Sequence, residues 1–308
     1  MRFIITGSAG FIGSRLCEKL LVAQNEVIGI DCFRNDLYSD EIKRNRQEYL
    51  SRNYNGFKSI AKDASTVSID KIISQDSYFV HLAALPGQAL SWDRFEDYVS
   101  CNIVATQKIV ESLTHQNIKK FVFVSTSSVY GAYANLGEDS TLNPISPYGI
   151  TKLAAEKIVS AYSKKLNFDY TILRLFSVYG PGQRNDMLIS RLLDALKSEK
   201  VFKLYGDGTK VRDFTFIDDI VDGIISACLN TVSGSIYNLS GGSSTTINEI
   251  ISICEKISGK KLKLTRNDDV VGDQISTIGV LDRAKADLNY RPKTTLQNGI
   301  ESQWRSLF

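Results

Sequence analysis

Short runs of β-branched and aromatic residues alternate, along the first half of the chain, with longer segments whose apolar positions recur every three or four residues. The spacing predicts strands at Phe3 to Thr6, Val27 to Asp31, Phe57 to Ile60, Phe79 to His81, Phe121 to Ser125 and Tyr170 to Leu175. It predicts helices from about Phe11 to Ala23, near Asp93 to His115 and near Pro147 to Leu166, and leaves a polar stretch after Asp31. Strands separated by helices form parallel sheets covered on both faces, so the expected class is α/β, a doubly wound parallel sheet. Beyond about residue 180 the breaks Gly180-Pro181-Gly182, Gly206-Asp207-Gly208 and Gly241-Gly242 cut the chain into shorter pieces, with helices near Met187 to Lys197 and Ile247 to Ser258. The expected organisation is a sheet domain over residues 1–180 and a smaller C-terminal α/β lobe over residues 181–308. No repeat of fixed period is present, which sets solenoids and propellers aside.

Composition narrows the function classes. The 308 residues are 43% apolar and 23% charged, the balance of a globular protein, and 37 basic against 34 acidic side chains leave a net charge of +3 with no run that concentrates it. Neither a nucleic acid nor a membrane surface is indicated as partner. No apolar run approaches the roughly eighteen residues of a membrane span, and Met1-Arg2-Phe3 opens directly on a strand with no signal-like stretch. Five cysteines, Cys17, Cys32, Cys101, Cys228 and Cys254, are odd in number and form no CxxC, so neither a disulfide framework nor a zinc cluster is expected, and a reducing, cytoplasmic setting fits. His81 and His115 are the only histidines, so no metal site is expected and acid–base chemistry at neutral pH falls on other residues.

Two stretches carry chemistry. Thr6-Gly7-Ser8-Ala9-Gly10-Phe11-Ile12-Gly13 links the first strand to the first helix. Glycines at Gly7, Gly10 and Gly13 let a pyrophosphate approach backbone N–H groups at a helix N-terminus. Asp31 ends the second strand, where a carboxylate accepts hydrogen bonds from a ribose diol and repels a 2′-phosphate. NAD is therefore favoured, with Arg34 keeping NADP as a minor alternative. In Tyr148-Gly149-Ile150-Thr151-Lys152 a phenol and an ammonium stand four apart on one helix face, and a nearby cation favours a phenolate. The apolar strand from Phe121 ends in four hydroxyl residues, Ser125, Thr126, Ser127 and Ser128, of which Thr126 supplies a hydrogen bond to a hydroxyl undergoing oxidation.

With these motifs, and with His81-Leu82-Ala83-Ala84, Arg174-Leu175-Phe176-Ser177-Val178-Tyr179-Gly180-Pro181-Gly182-Gln183, Arg212-Asp213-Phe214 and Leu288-Asn289-Tyr290-Arg291-Pro292, nearly the whole chain resembles the extended short-chain dehydrogenase/reductase group of NAD-dependent nucleotide-sugar epimerases and dehydratases. The resemblance implies a Rossmann domain that holds NAD and a C-terminal lobe that holds the nucleotide diphosphate of an activated sugar. It implies Thr126, Tyr148 and Lys152 as the catalytic set. Gly7, Gly10, Phe11, Ile12, Gly13, Asp31, Asn35, Asp63, Leu82, Ala83, Ala84, Asn102, Ser125, Tyr148 and Lys152 would meet the cofactor, Asp63 at the adenine, and Arg212 would meet the substrate's pyrophosphate. Relatives are often homodimers, and the segments Asp93 to His115 and Pro147 to Leu166 would supply the interface.

The member is narrowed by residue type. The dehydratases of the group carry an Asp-Glu pair directly after the threonine, and decarboxylases keep a glutamate at the second of those places; here they are Ser127 and Ser128. Ser177 stands where neutral-sugar 4-epimerases usually have asparagine, and with Arg184 and the stretch Asn35-Asp36-Leu37-Tyr38 followed by Ile42-Lys43 it looks like the UDP-glucuronate 4-epimerases. Serine hydroxyls hydrogen-bond a C6 carboxylate and Arg184 offsets its charge. The expected activity is conversion of UDP-glucuronate to UDP-galacturonate. Competing readings are a neutral UDP-sugar 4-epimerase acting on UDP-glucose or UDP-N-acetylglucosamine, a nucleotide-sugar decarboxylase or reductase, and an NAD-binding scaffold without a reaction. Two positions depart from the family pattern, Val270 where an arginine is frequent and Val280 where an aspartate is usual.

Overall fold

The computed structural model describes residues 1–114, 118–269 and 271–308. The expected strands form, each within a few residues of its predicted bounds: β1 Arg2–Thr6, β2 Glu26–Asp31, β3 Phe57–Ala61, β4 Ser77–His81, β5 Lys120–Thr126 and then Tyr170–Leu175. All six are parallel, and a seventh, Ser235–Leu239, joins beyond Tyr170–Leu175, so the sheet runs Ser235–Leu239, Tyr170–Leu175, β5, β4, β1, β2, β3. β4 and β5 are buried along their whole length, as central strands covered on both faces must be. The seventh strand comes from past residue 180, so the second half of the chain returns to the large sheet.

Helices pack on both sides. Phe11–Val22 buries Leu16, Cys17, Leu20 and Leu21 against one face, and Pro147–Leu166 buries Ala155 and Val159 against the other. Pro147–Leu166 starts where Ser146 caps Gly149 N–H and proline occupies the first turn, and stops at Asn167 in the left-handed conformation. The helical region expected near Asp93 to His115 is built from Leu90–Asp93, Phe95–Tyr98, a π-helical turn Val99–Val104 and Ala105–Glu111; its expected end at His115 lies outside the described residues.

The polar stretch after Asp31 contains a helix that periodicity missed, Asp40–Asn53. Only Lys43, Gln47 and Leu50 are buried in it, so no apolar stripe marks it. Its stability comes from Ser39 capping Glu41 N–H and from the i,i+4 pairs Asp40–Arg44 and Glu48–Arg52. A second sheet, ordered Ser244–Thr246, Val211–Phe216, Ser276–Thr277, Tyr133–Ala134, draws mainly on the C-terminal half, with Ser177–Tyr179 also paired to Val211–Phe216. Ligands of such folds bind past the carboxyl ends of the parallel strands, where the glycine loop, Asp31, His81-Leu82-Ala83-Ala84 and the hydroxyl residues that close β5 lie. Among the described residues, no helix is long and apolar enough to cross a membrane.

Candidate active site

The glycine loop leaves β1 and turns directly into helix Phe11–Val22. Gly7 has φ +72°, and a Cβ on Gly13 would sit 2.1 Å from the Gly7 carbonyl, so the turn closes only around glycine. The N-cap, Gly10, offers no side-chain acceptor and the first turn, which opens with Phe11 and Ile12, has no acid. The helix therefore presents N–H groups that no side chain among the described residues caps, a cradle suited to a dinucleotide's pyrophosphate. Asp31 stands beside it, accepting from Ala9 N at 3.0 Å and Phe33 N at 2.8 Å. Arg34, the residue that kept NADP open, is engaged elsewhere: its guanidinium meets Asp36 at 2.9 Å and Cys101 Sγ at 3.1 Å, and Arg94 shares Asp36 at 2.6 Å. Asn35 is exposed between them.

The other positions expected to meet the cofactor spread along the same edge. Ala83 N donates to Thr6 Oγ1 at 3.2 Å, which sets Leu82, Ala83 and Ala84 along the back of the glycine loop. Asp63 caps the turn Ala64–Thr66 through Ser65 N and Oγ. Asn102, on the π-helical turn, has its amide engaged by Leu85 N, Leu85 O and Thr151 Oγ1 at 2.8, 3.1 and 3.1 Å, so it positions the chain after β4. His81 is buried between Thr6 and Thr106, and burial holds its imidazole down to about 3, neutral at working pH. Of the two histidines, this one is thereby removed from proton transfer; His115 lies outside the described residues.

β5 delivers the hydroxyl residues opposite the start of helix Pro147–Leu166, and Tyr148 meets Thr126 there. Ser127 and Ser128 are buried beside them. Lys152 is expected from the sequence to act on the phenol as a cation, together with the nicotinamide. Its ammonium turns under the helix to Val124 O at 2.7 Å and lies 4.1 Å from the Phe123 ring centroid. Burial pushes the Tyr148 phenol up, and the groups pulling it down are the Thr126 hydroxyl and Arg184. Burial also pushes Lys152 down to about 7, against the pull of Glu156 one turn on.

Glu156 was not singled out by sequence, although its place four residues after Lys152, facing an arginine inside an apolar strand, is a signal. Its carboxylate accepts from Ser125 Oγ at 2.5 Å and from Arg174 at 3.1 and 2.8 Å, with both partners of the ion pair 2% exposed. Ser125, expected at the cofactor, is thus tied to the helix carrying Tyr148. Arg174 also reaches Tyr130 Oη and Glu138 O, both at 3.0 Å. Glu156→Ala strands a buried guanidinium and is expected to lower stability by about 3–5 kcal/mol, read from the urea midpoint at unchanged slope. A loss below about 1 kcal/mol would mean that Tyr130 and Glu138 satisfy Arg174 without it.

On the far side, Ser177 opens a short strand in register with Phe214. Arg184 is 11% exposed, pairs with Asp186 at 2.6 Å, and lies close enough to Tyr38 and Tyr148 to be influenced by both. Arg212 is tethered: Asp273 receives its guanidinium at 2.8 Å and Lys210 at 3.0 Å. Val270 lies outside the described residues, and Val280 places its carbonyl 3.4 Å from Asn238 Nδ2. Tyr98, unmarked in the sequence, sets its ring edge-on to Tyr148 with centroids 6.2 Å apart. The structure thus gathers Thr126, Ser127, Ser128, Tyr148 and Arg184 around one point, with the glycine loop and Asp31 on the cofactor side.

Comparison with known proteins agrees with this geometry. A Thermodesulfobacterium geofontis protein named UDP-glucuronate 4-epimerase is 37% identical over 97% of this chain and 94% of its own length. A Bacillus subtilis protein named as an uncharacterized UDP-glucose epimerase is 36% identical over 98% and 96%. The crystal structure of UDP-glucuronic acid 4-epimerase from Bacillus cereus, in complex with UDP-glucuronic acid and NAD, superposes with a TM-score of 0.95 at 37% identity, covering 100% of this chain and 99% of that one. The family profile described as NAD dependent epimerase/dehydratase matches residues 3–240, and the chain belongs to that family.

Proposed function

We propose that this protein is an NAD-dependent UDP-glucuronate 4-epimerase that inverts C4 to give UDP-galacturonate. The observation that carries the substrate is the Arg184 guanidinium, largely buried and near enough to Tyr148 to pull its phenol down, at a site where the two residues after Thr126 are serines. A cation there suits a C6 carboxylate, and the absence of an acid–base pair at Ser127 and Ser128 removes the groups that dehydration requires. When bound, NAD supplies a reversible hydride acceptor at the substrate's C4. Tyr148 takes the proton of the C4 hydroxyl, helped by Thr126, as C4 becomes a ketone. The 4-keto sugar then turns, and Tyr148 returns the proton to the oxygen on the inverted carbon, with no net redox change.

For a uronate that ketone is a β-keto acid, which loses carbon dioxide when the carboxylate aligns with the carbonyl's π system. Ser127, Ser128, Ser177 and Arg184 restrain it. In this reading residues 1–180 hold the cofactor and 181–308 the nucleotide, with Arg212 on the diphosphate. Half-exposed Phe95, Val104 and Ile150 on the two helical segments support a homodimer through that face. The five free cysteines support a cytoplasmic setting.

A proton NMR time course of the purified protein with UDP-glucuronate and no added NAD tests the reading. UDP-galacturonate without a pentose product is expected. No change, with NAD shown to be bound, would move the substrate to neutral UDP-sugars and leave Ser177 and Arg184 without a role.

A further inference from the structure

The segment from Leu85 to Ser91, between β4 and the helical region that follows, is braced at three points. Asn102 holds Leu85 at both its N–H and its carbonyl. The Tyr98 hydroxyl lies 2.8 Å from the Pro86 carbonyl and 2.9 Å from that of Gly87, whose φ of +103° favours glycine. The Ser91 hydroxyl donates to the Gln88 carbonyl at 2.5 Å. What this bracing presents is the Gln88 side chain, whose Nε2 donates to Ser128 Oγ at 3.0 Å.

The orientation of that amide is set by a neighbour from the C-terminal half. Gln274 donates through Nε2 to Ser127 O at 3.2 Å and Gly131 O at 2.8 Å, which turns its Oε1 toward Gln88 Nε2, 3.5 Å away. Flipping Gln88 would set two amide oxygens against each other. In the orientation that remains, Gln88 Oε1 is buried without a partner among the described residues. An unpaired buried acceptor is destabilising, so folding alone does not favour glutamine here over an apolar side chain.

The hydrogen bonds continue toward the reacting centre. Ser128 N–H donates to Thr126 Oγ1 at 3.1 Å, the Thr126 hydroxyl donates to Ser128 Oγ at 3.2 Å, and Thr126 is within hydrogen-bonding reach of Tyr148. Ser128 Oγ is thus shared by two donors, and the Gln88 N–H competes with the Thr126 hydroxyl for it, which leaves the Thr126 proton available to the phenolate oxygen when Tyr148 ionises.

We propose that Gln88 is a positioning residue for the epimerase reaction, its amide engaging Ser128 Oγ so that the Thr126 hydroxyl is free to turn to the Tyr148 oxygen. This rests on the assignment of Tyr148 as proton acceptor. The other groups facing Tyr148 are Tyr98 edge-on, Arg184 with its partner Asp186, and Lys152 one turn along the helix with its ammonium on Val124 O.

The experiment compares the NAD-loaded wild type with Gln88→Leu and Gln88→Glu, following the pH dependence of kcat/KM for UDP-glucuronate. In parallel, the near-ultraviolet tyrosinate titration of each is taken as a difference from the matching Tyr148→Phe protein. Gln88→Leu is expected to move the acid limb and the titration upward together by about one pH unit, tenfold less phenolate at a fixed lower pH. Gln88→Glu is expected to move them further, because an ionised carboxylate has no proton to give Ser128. A limb and titration unmoved in both variants, or a rise in KM alone, would overturn the proposal. Should Gln88→Leu fail to fold, Gln88→Glu decides. If the wild type turns over no UDP-sugar, the functional reading fails while the tyrosinate titration still tests Gln88.

Discussion

Tyr148→Phe is expected to lower turnover of UDP-glucuronate by about 10²–10⁴-fold, the usual contribution of a positioned acid–base group, while NAD stays bound. The structure sets the phenol against Thr126 and within the influence of Arg184, and His81 is held between two threonines with burial favouring its neutral form. The substitution removes one oxygen from a packed ring, so the edge-on contact with Tyr98 persists and the pocket keeps its shape. Burial pushes the wild-type phenol above its ordinary value, and the phenolate is the working form, so wild-type turnover rises with pH on the acid side of its profile. In Tyr148→Phe that rise disappears along with the activity. The check is single-turnover NMR with NAD content measured on the same sample; activity within tenfold of wild type would assign proton transfer to another group.

Arg184→Met is expected to raise KM for UDP-glucuronate by roughly tenfold to a hundredfold, the worth of a charge-assisted hydrogen bond of about 1.5–3 kcal/mol. KM for a neutral UDP-sugar should change little. Methionine keeps the packing of the arginine stem, so the difference between the two substrates isolates the charge. Turnover falls as well, because the same guanidinium pulls the Tyr148 phenol down. Ser177→Ala, which leaves the charge in place, is expected instead to divert product toward a pentose, since the freed carboxylate aligns with the C4 ketone. Equal KM changes for charged and neutral sugars in Arg184→Met would show that the guanidinium does not read the carboxylate.

Much of this site was legible before any coordinates. The glycine loop, the acid that ends β2 and the Tyr148–Lys152 spacing are local patterns, and each folded where its period placed it. The parallel strands were equally plain, because strands buried on both faces read as continuous apolar runs. The resemblance to nucleotide-sugar epimerases rested on those same stretches, and the family match bears it out.

What the sequence by itself determined is therefore the set of elements and the residue types at their carboxyl ends, since backbone periodicity and glycine's conformational freedom act over a few residues. Only the tertiary structure decided which of those residues meet. The helix Asp40–Asn53 has no apolar stripe to announce it. Glu156 reaches Arg174 because its helix packs across β5 and Tyr170–Leu175, not because of their spacing. The Lys152 ammonium ends on Val124 O, and Gln88 joins Ser128 and Gln274 across 40 and 186 residues of chain. Electrostatic and hydrogen-bonded partners act through space over a few ångströms, and the order of strands in the sheet is what brings them within that reach.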